Sequence, residues 1–333
     1  MAPGRTAMMV PPLPRTLTGY VLSSSRQHQA ALVLLSLVVF LLSAVPLEIQ
    51  RRLVNDAIQR GALGTIVTLA LAYFGVALAE GCVKLGLNIY RSWVSEKAVL
   101  DLRHAVATLT ETAIPGKDQA QAEGAEISMI LSEVEPIGGF VGVSISEPLL
   151  QVGILASVFG YLAYLEPLMA VLCAFAISPQ MVFVPMMQRA VNRRAADRIE
   201  TLRQVGGNMV GRKGGAEAAN RQSGRLAHVF ALNMGMAKVK FVMNFLMNLM
   251  HHLGVATALG VGGYYVVQGR IEVGTVVAFV SGLGKVTDPW GDLVNWFREM
   301  TAAKMRYGLL TEAMAVITRG GAQSGTGPVS TPA

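Results

Sequence analysis

Lys285, Asp288, Asp292, Trp296 and Glu299, in the last long apolar stretch of this chain, recur three and four positions apart. In a helix that spacing places them on one face. Ionisable groups inside an apolar helix are expensive and by default mark functional positions. The plainer reading is a Lys285–Asp288 ion pair, with Asp292 and Glu299 already close to water. Pro289 is expected to kink the helix where the stripe begins. His251 and His252, midway along the preceding apolar stretch, could relay protons or bridge helices. Adjacent helical residues point about 100° apart, so the two cannot ligate one ion. Glu80 and Lys84, at i and i+4, read as an ion pair, and Glu147-Pro148, in the third apolar stretch, as solvated near the inner membrane face. No Ser/His/Asp arrangement, HExxH or paired-acid motif lies in a water-exposed context. The chain is therefore not expected to be an enzyme, and neither a metal nor a cofactor site is read in it. Cys82 and Cys173 stand in apolar stretches without metal-ligand spacing and read as packing residues.

Only helices in a membrane can position these groups. The chain has 333 residues, 52% hydrophobic and only 15% charged, with a mean hydropathy of +0.46. A soluble domain of this size needs more charge to cover its surface, and the apolar runs here reach the roughly 20 helical residues that a bilayer takes. The expected fold is all-α with six spans: Gln29–Ile49, Gly64–Trp93, Ile137–Tyr164, a fourth from the Leu165-Glu166-Pro167 turn to Gln188, Phe230–Val267 and Val273–Leu310. Span 2 is too long to stand upright, so it tilts or projects into water. Residues 94–126 and 189–232 carry heptad-like apolar positions such as Val99, Leu102, Val106 and Leu109. They are expected to form helical rods outside the bilayer, since plain loops of that length are uncommon. Gly138 with Gly142, and Gly254, Ala258 and Gly262, have the spacing that lets helices approach closely. Met234, Met236, Met243, Met247 and Met250 offer either a deformable surface or ordinary packing.

Charge placement sets the orientation. Of the 28 lysines and arginines, the side of the short turns holds only Arg51, Arg52, Arg60 and Arg270. Positive charge is retained in the cytoplasm, so both termini and both long connections are expected there, with Arg51-Arg52 a local dissent. Nucleic-acid binding is not expected from the net charge of +7, because the basic residues are grouped between apolar stretches with few aromatics among them. Residues 1–28 lack the apolar core of a secretory signal. Leu17, Tyr20, Val21 and Leu22 share a helical face there, as in an interfacial helix. Residues 29–316 form the membrane domain and 317–333 a flexible tail. High Ala and Gly content points to a bacterial source and hence the inner membrane.

Several local sequences stand in an order that matches a known family. Pro46-Leu47-Glu48-Ile49-Gln50 through Asp56-Ala57-Ile58 lies at the end of span 1, and Leu100-Asp101-Leu102-Arg103 opens the first long connection. Gly124-Ala125-Glu126-Ile127-Ser128 through Ser132-Glu133-Val134-Glu135-Pro136-Ile137 leads into span 3. Ile271-Glu272-Val273-Gly274-Thr275 begins span 6, and Met305-Arg306-Tyr307-Gly308-Leu309-Leu310 ends it. With the six spans and long cytoplasmic extensions, these resemble the transmembrane domain of type I ABC exporters, the multidrug and lipid exporter superfamily, over about residues 15–316. The resemblance implies a homo- or heterodimer enclosing a pathway lined by span 6. Lys285, Asp288, Asp292 and Trp296, with His251 and His252, then become candidates for contact with cargo. Gln119, Gly124, Glu126, Arg212 and Lys213 become candidates for coupling to an ATPase.

Two departures accompany the resemblance. Gly282-Leu283-Gly284-Lys285-Val286-Thr287 is not a phosphate loop: Val follows the lysine and the segment is a membrane helix. No LSGGQ run occurs, and the family's nucleotide-binding half, expected after span 6, is replaced by a Gly/Ser/Thr/Pro tail from Gly320 to Ala333. ATP and Mg are thus expected in a separate ATP-binding cassette subunit or a complete half-transporter. Gly206–Gly215, rich in helix-weakening glycine, stands where the second coupling segment belongs. The alternatives are an ATP-independent, proton-coupled carrier, a regulatory or scaffold protein of the same fold, or a truncated gene product.

Overall fold

A computed structural model describes residues 14, 16–59, 61, 63–113, 133–210 and 216–324 of the chain. Everything regular among them is α-helix: α1 (Leu17–Gln59), α2 (Leu63–Ala113), α3 (residues 133–143), α4 (Ser146–Leu165), α5 (Pro167–Ile177), α6 (Gln180–Val210), α7 (Ala216–Val267) and α8 (Val273–Ser324). Helices are what apolar sequence must form in lipid, because they pair every backbone N–H and C=O within the segment. Among the described residues five stretches are long and apolar enough to cross a membrane: Leu17–Ile58, Leu63–Thr108, Glu133–Leu165, Pro167–Leu202 and Gln222–Val267. This is a multi-pass membrane protein. The helix expected as span 6, α8, is not in that set, because Lys285, Asp288, Pro289 and Asp292 lower its hydropathy.

The breaks follow from single residues. Gly61 (φ 58°) and Gly269 (φ 70°) close the short turns after α1 and α7 in the left-handed region that favours glycine. Glu166 is extended and Pro167 opens α5. Expected span 3 is interrupted at residues 144 and 145, and expected span 4 at 178 and 179. Pro148 and Pro179, which lack a backbone N–H, stand at or just beyond those breaks. Pro289, by contrast, lies inside α8, which remains helical through it. Glycine does not stop α6 either, which stays helical through Gly206 and Gly207 to Val210.

Helices α2, α7 and α8 have 51, 52 and 52 residues. At 1.5 Å per residue that is over about 75 Å, more than twice the hydrocarbon thickness. The expected rods are therefore helical over residues 94–113, 189–210 and 216–232; the rest of both connections lies outside the described residues.

The chain divides into two compact units. One comprises Met1–Val45, Phe74–Leu155 and Asp292–Ala333. Its core runs along α2 at Leu87, Val94, Val99, Leu102 and Val106, against Leu32 and Val39 of α1, Ile137 and Val141 of α3 and Tyr307 of α8. Leu17, Tyr20 and Val21 are buried in this core, and Tyr20 donates to the Ala98 carbonyl (3.5 Å). The apolar face read as interfacial is thus spent on protein, leaving Leu22 exposed. Helix α1 bends at Ser25 (φ −137°, ψ 27°). The second unit comprises Pro46–Tyr73 and Ala156–Gly291. There α7 packs along α6 and α5, with Met169, Cys173, Ile177, Ala258, Phe279 and Leu283 in the core.

The small residues lie where helices touch. A Cβ on Gly138 would come within 2.5 Å of Val99 Cγ2, one on Gly142 would strike the Arg91 carbonyl and Ser95, and one on Gly262 would meet Met169 and Val276 at 2.9 Å. Cys173 is buried, but Cys82 is exposed on α2, so packing within the chain accounts for only one of the two.

Candidate functional site

A polar hub sits in the first unit, at the break between α3 and α4. Pro148 cannot donate a hydrogen bond to the carbonyl four residues back, and that carbonyl, on Ser144, accepts instead from Trp296 Nε1 of α8 (3.1 Å). One turn on, Ser146 Oγ accepts from Arg91 Nε of α2 (2.8 Å) and donates to the Gly142 carbonyl (2.9 Å). Ser36 of α1 donates to the Ser146 carbonyl (3.3 Å). Arg91 Nη1 pairs with Glu147. Gln151, one turn further along α4, donates from Nε2 both to Glu147 (2.6 Å) and to Asp292 of α8 (3.0 Å). Five helices meet through a few side chains.

The hub is a place where charge has been taken out of water. Arg91 has only 7% of its side chain exposed and Glu147 19%, while Asp292 forms the exposed rim. One guanidinium faces two carboxylates, a balance that the bridging amide of Gln151 supports. Arg91 Nη2 is buried without a hydrogen-bond partner among the described residues. Such an arrangement ties α2, α4 and α8 together through one ion pair and a short chain of hydrogen bonds.

Of the residues singled out in the sequence, Asp292 and Trp296 belong to the hub. Lys285, half-buried, and the exposed Asp288 precede it along α8, in the other unit. His251 is half-buried and His252 exposed; their rings contact each other at 5.6 Å between centroids. Among the described residues no group of three or more His, Cys, Asp or Glu could hold a metal ion. Glu147 is not simply solvated, as the sequence suggested: it is the acid of the buried pair. Gln119, Gly124, Glu126, Arg212 and Lys213 lie outside the described residues. The Gly282–Thr287 segment is α-helical, as a phosphate loop is not.

Sequence reasoning missed Arg91, which looks like any basic residue at the end of an apolar run. It also missed the role of Trp296, although Pro148 signals an orphaned carbonyl at Ser144.

A second polar cluster, within the other unit, accounts for Arg51, Arg52 and Arg270 on the short-turn side; Arg60 lies outside the described residues. Glu48 holds Arg51 (2.8 Å) and Arg52 (2.5 Å) and accepts from Tyr161 (2.5 Å). Asn55, only 8% exposed, accepts from the Gly274 N–H in the first turn of α8 (2.7 Å) and donates to Glu272. Arg270 pairs with Glu166 (2.6 Å) and lies over the Tyr265 ring (4.5 Å). Arg51, Arg52 and Arg270 are each paired locally with an acid.

No known family model matches the chain. It is similar to the protein named "Uncharacterized ABC transporter ATP-binding protein YfiC" of Bacillus subtilis (strain 168), at 22% identity over 227 residues. The match takes in 65% of this chain and 37% of that relative's length. This distant similarity and the several long apolar helices fit an ABC-like membrane domain.

Proposed function

We propose that the chain is the membrane-spanning subunit of an ABC transporter, with the six-helix arrangement of type I exporters. It acts in the inner membrane with both termini in the cytoplasm, as one half of a homo- or heterodimer. In this reading α8 is the sixth span, entering the bilayer despite its charges because neighbouring helices answer them. ATP and Mg are bound by a partner, an ATP-binding cassette subunit or a complete half-transporter. The cargo is lipid-like, hydrophobic or peptide.

The observation that carries the proposal is the pairing of that distant similarity with helices twice as long as a bilayer requires. Helices that continue for several turns into water are levers. Force applied at the far end of α2, α6, α7 or α8 reaches the membrane along a rigid element, and for α2 and α8 it arrives at the hub. Lys285, Asp288, Asp292, Trp296, His251 and His252 remain candidates for the pathway. Asp292 and Trp296 have structural duties that explain them without cargo, so Lys285 and Asp288 are the better probes. Coupling through Gln119, Gly124, Glu126, Arg212 and Lys213 belongs to the same proposal.

The test is reconstitution. The chain purified with its partner in proteoliposomes should give vanadate-sensitive ATP hydrolysis and ATP-dependent transport, neither of which appears with either polypeptide alone. Transport that persists without ATP and collapses with an uncoupler would replace the proposal with the carrier reading. External labelling of a cysteine at position 120 or 215 would refute the orientation.

A further inference from the structure

Where the apolar stretches of α1 and α2 end, His28, Tyr90, Trp93 and Lys97 form one cluster. His28 Nδ1 lies 2.7 Å from the Tyr90 hydroxyl, and Lys97 Nζ lies 3.4 Å from His28 Nε2. The Lys97 ammonium also stands 5.2 Å from the centre of the Trp93 ring. Tyr90 and Trp93 are stacked, 5.9 Å apart and 4° from parallel, and His28 meets Trp93 edge-on at 5.1 Å.

Donor arithmetic fixes what this cluster has to offer. An ammonium can only donate, so His28 Nε2 must be the acceptor of that contact, and the single proton of the neutral ring sits on Nδ1. Nδ1–H then donates to the Tyr90 oxygen, which leaves the Tyr90 hydroxyl hydrogen unspent. Two of the three Lys97 N–H groups are unspent as well. Both nitrogens of His28 are used. What remains is a set of donors and one positive charge with no acceptor among the described residues. Glu96 and Asp101, the nearest acids along α2, make no ion pair with Lys97 among the described residues.

The position of the cluster identifies the acceptor. Phe74, Leu78, Leu85 and Ile89 form an exposed apolar stripe along α2 that ends at Trp93, itself 49% exposed, with Lys97 one turn beyond. Leu34 and Leu41 of α1, further along the helix from His28, are exposed and apolar as well. Hydrocarbon-facing residues, then stacked aromatics, then a lysine is the order met on leaving a bilayer, and a basic group at that level attracts anionic lipid.

We propose that His28, Tyr90, Trp93 and Lys97 form a binding site for the phosphate of an anionic phospholipid, on the membrane face where α1 begins. The lysine supplies charge, the Tyr90 hydroxyl and Lys97 N–H groups supply hydrogen bonds, and the aromatic pair packs on the glycerol and upper acyl chain. The inference rests on α1 and α2 lying in a membrane and not on the transport reading, so its failure leaves that reading untouched.

The experiment uses the full chain in vesicles containing phosphatidylglycerol or phosphatidylcholine brominated near the headgroup. The emission of Trp93 is taken as the difference between the native chain and Trp93→Phe. Brominated phosphatidylglycerol should quench it with about five-fold greater relative affinity than brominated phosphatidylcholine, the worth of one lysine beside an anionic surface. Lys97→Gln should bring the ratio close to one, Tyr90→Phe should lower it part of the way, and Lys97→Arg should retain it. Lys97 is exposed, so its replacement leaves the fold intact, as circular dichroism will check. Equal quenching by the two lipids, or a preference that survives Lys97→Gln, overturns the proposal. A preference abolished by millimolar inorganic phosphate overturns the lipid assignment, because the site would then take soluble phosphate.

Discussion

Replacing Arg91 by methionine tests whether the hub is held by its charges. Arg91 and Glu147 keep 7% and 19% of their side chains exposed, and removing one partner of a buried pair costs about 3–5 kcal/mol because the other charge stays behind. Arg91→Met leaves Glu147 with the amide of Gln151 as its remaining hydrogen-bond partner among the described residues. Glu147 retains some contact with water, so the lower end applies, about 3 kcal/mol. Glu147→Leu strands the guanidinium instead, with Ser146 and the field of Asp292 as its remaining support; about 2–3 kcal/mol is expected. The double variant is the informative one. With both charges gone, Met and Leu fill a similar volume and leave no buried charge unpaired between them, and stability should return to within about 1 kcal/mol of the native chain. The measurement is equilibrium unfolding in mixed micelles, titrated with dodecyl sulfate and followed by circular dichroism. Penalties that simply add in the double variant would show that the two side chains do not act as a pair, and the hub would lose its physical basis.

Three further outcomes follow from the same geometry. Trp296→Phe should cost about 1–3 kcal/mol by orphaning the Ser144 carbonyl, and most of that cost should vanish in a Pro148→Ala background, where residue 148 regains the N–H that this carbonyl lacks; the unfolding titration reads both. Gly142→Ala should destabilise by about 1–3 kcal/mol because its Cβ would meet the Arg91 carbonyl and Ser95, whereas Gly75→Ala, with open space around it, should be neutral or gain up to about 1 kcal/mol from helix propensity. Asn55→Ala should cost about 1–2 kcal/mol and speed amide exchange at Gly274, since Asn55 is the acceptor for that N–H; unchanged exchange there would refute its role as a cap supplied from another helix.

The apolar helices, the rods and the close-packed glycines were legible in the sequence because each depends on local composition or spacing. Val99, Leu102 and Val106 are buried as their spacing predicts, and Gly138 and Gly142 touch α2. The hub was only half legible. Asp292 and Trp296 attracted notice as polar residues in an apolar helix, but spacing along α8 grouped them with Lys285 and Asp288. Their actual partners are on other helices: Gln151 lies 141 residues from Asp292, and Arg91 lies 56 from Glu147. No periodicity carries that information. The Arg51-Arg52 dissent was legible in principle, since Glu48 stands three and four residues before the pair, which is the reach of a helical ion pair.

On the proposed reading of α8 as the sixth span, hydropathy misses it for the same reason. A composition window prices each charged residue as though it entered lipid alone, and on that basis Lys285, Asp288 and Asp292 disqualify the helix. In the folded chain Asp292 accepts from Gln151, and Trp296 answers the carbonyl that Pro148 leaves open. Pairing of this kind lowers the cost of placing α8 among its neighbours without changing its composition. The least membrane-like helix is then the one most dependent on the others for its place, and the one whose displacement would be felt first at Arg91. A helix that carries its own apolar surface can slide or tilt at little cost, whereas one anchored by a few buried polar contacts has a small number of allowed positions. If force from a partner moves this bundle, the discrete step should be found where α8 meets the break between α3 and α4.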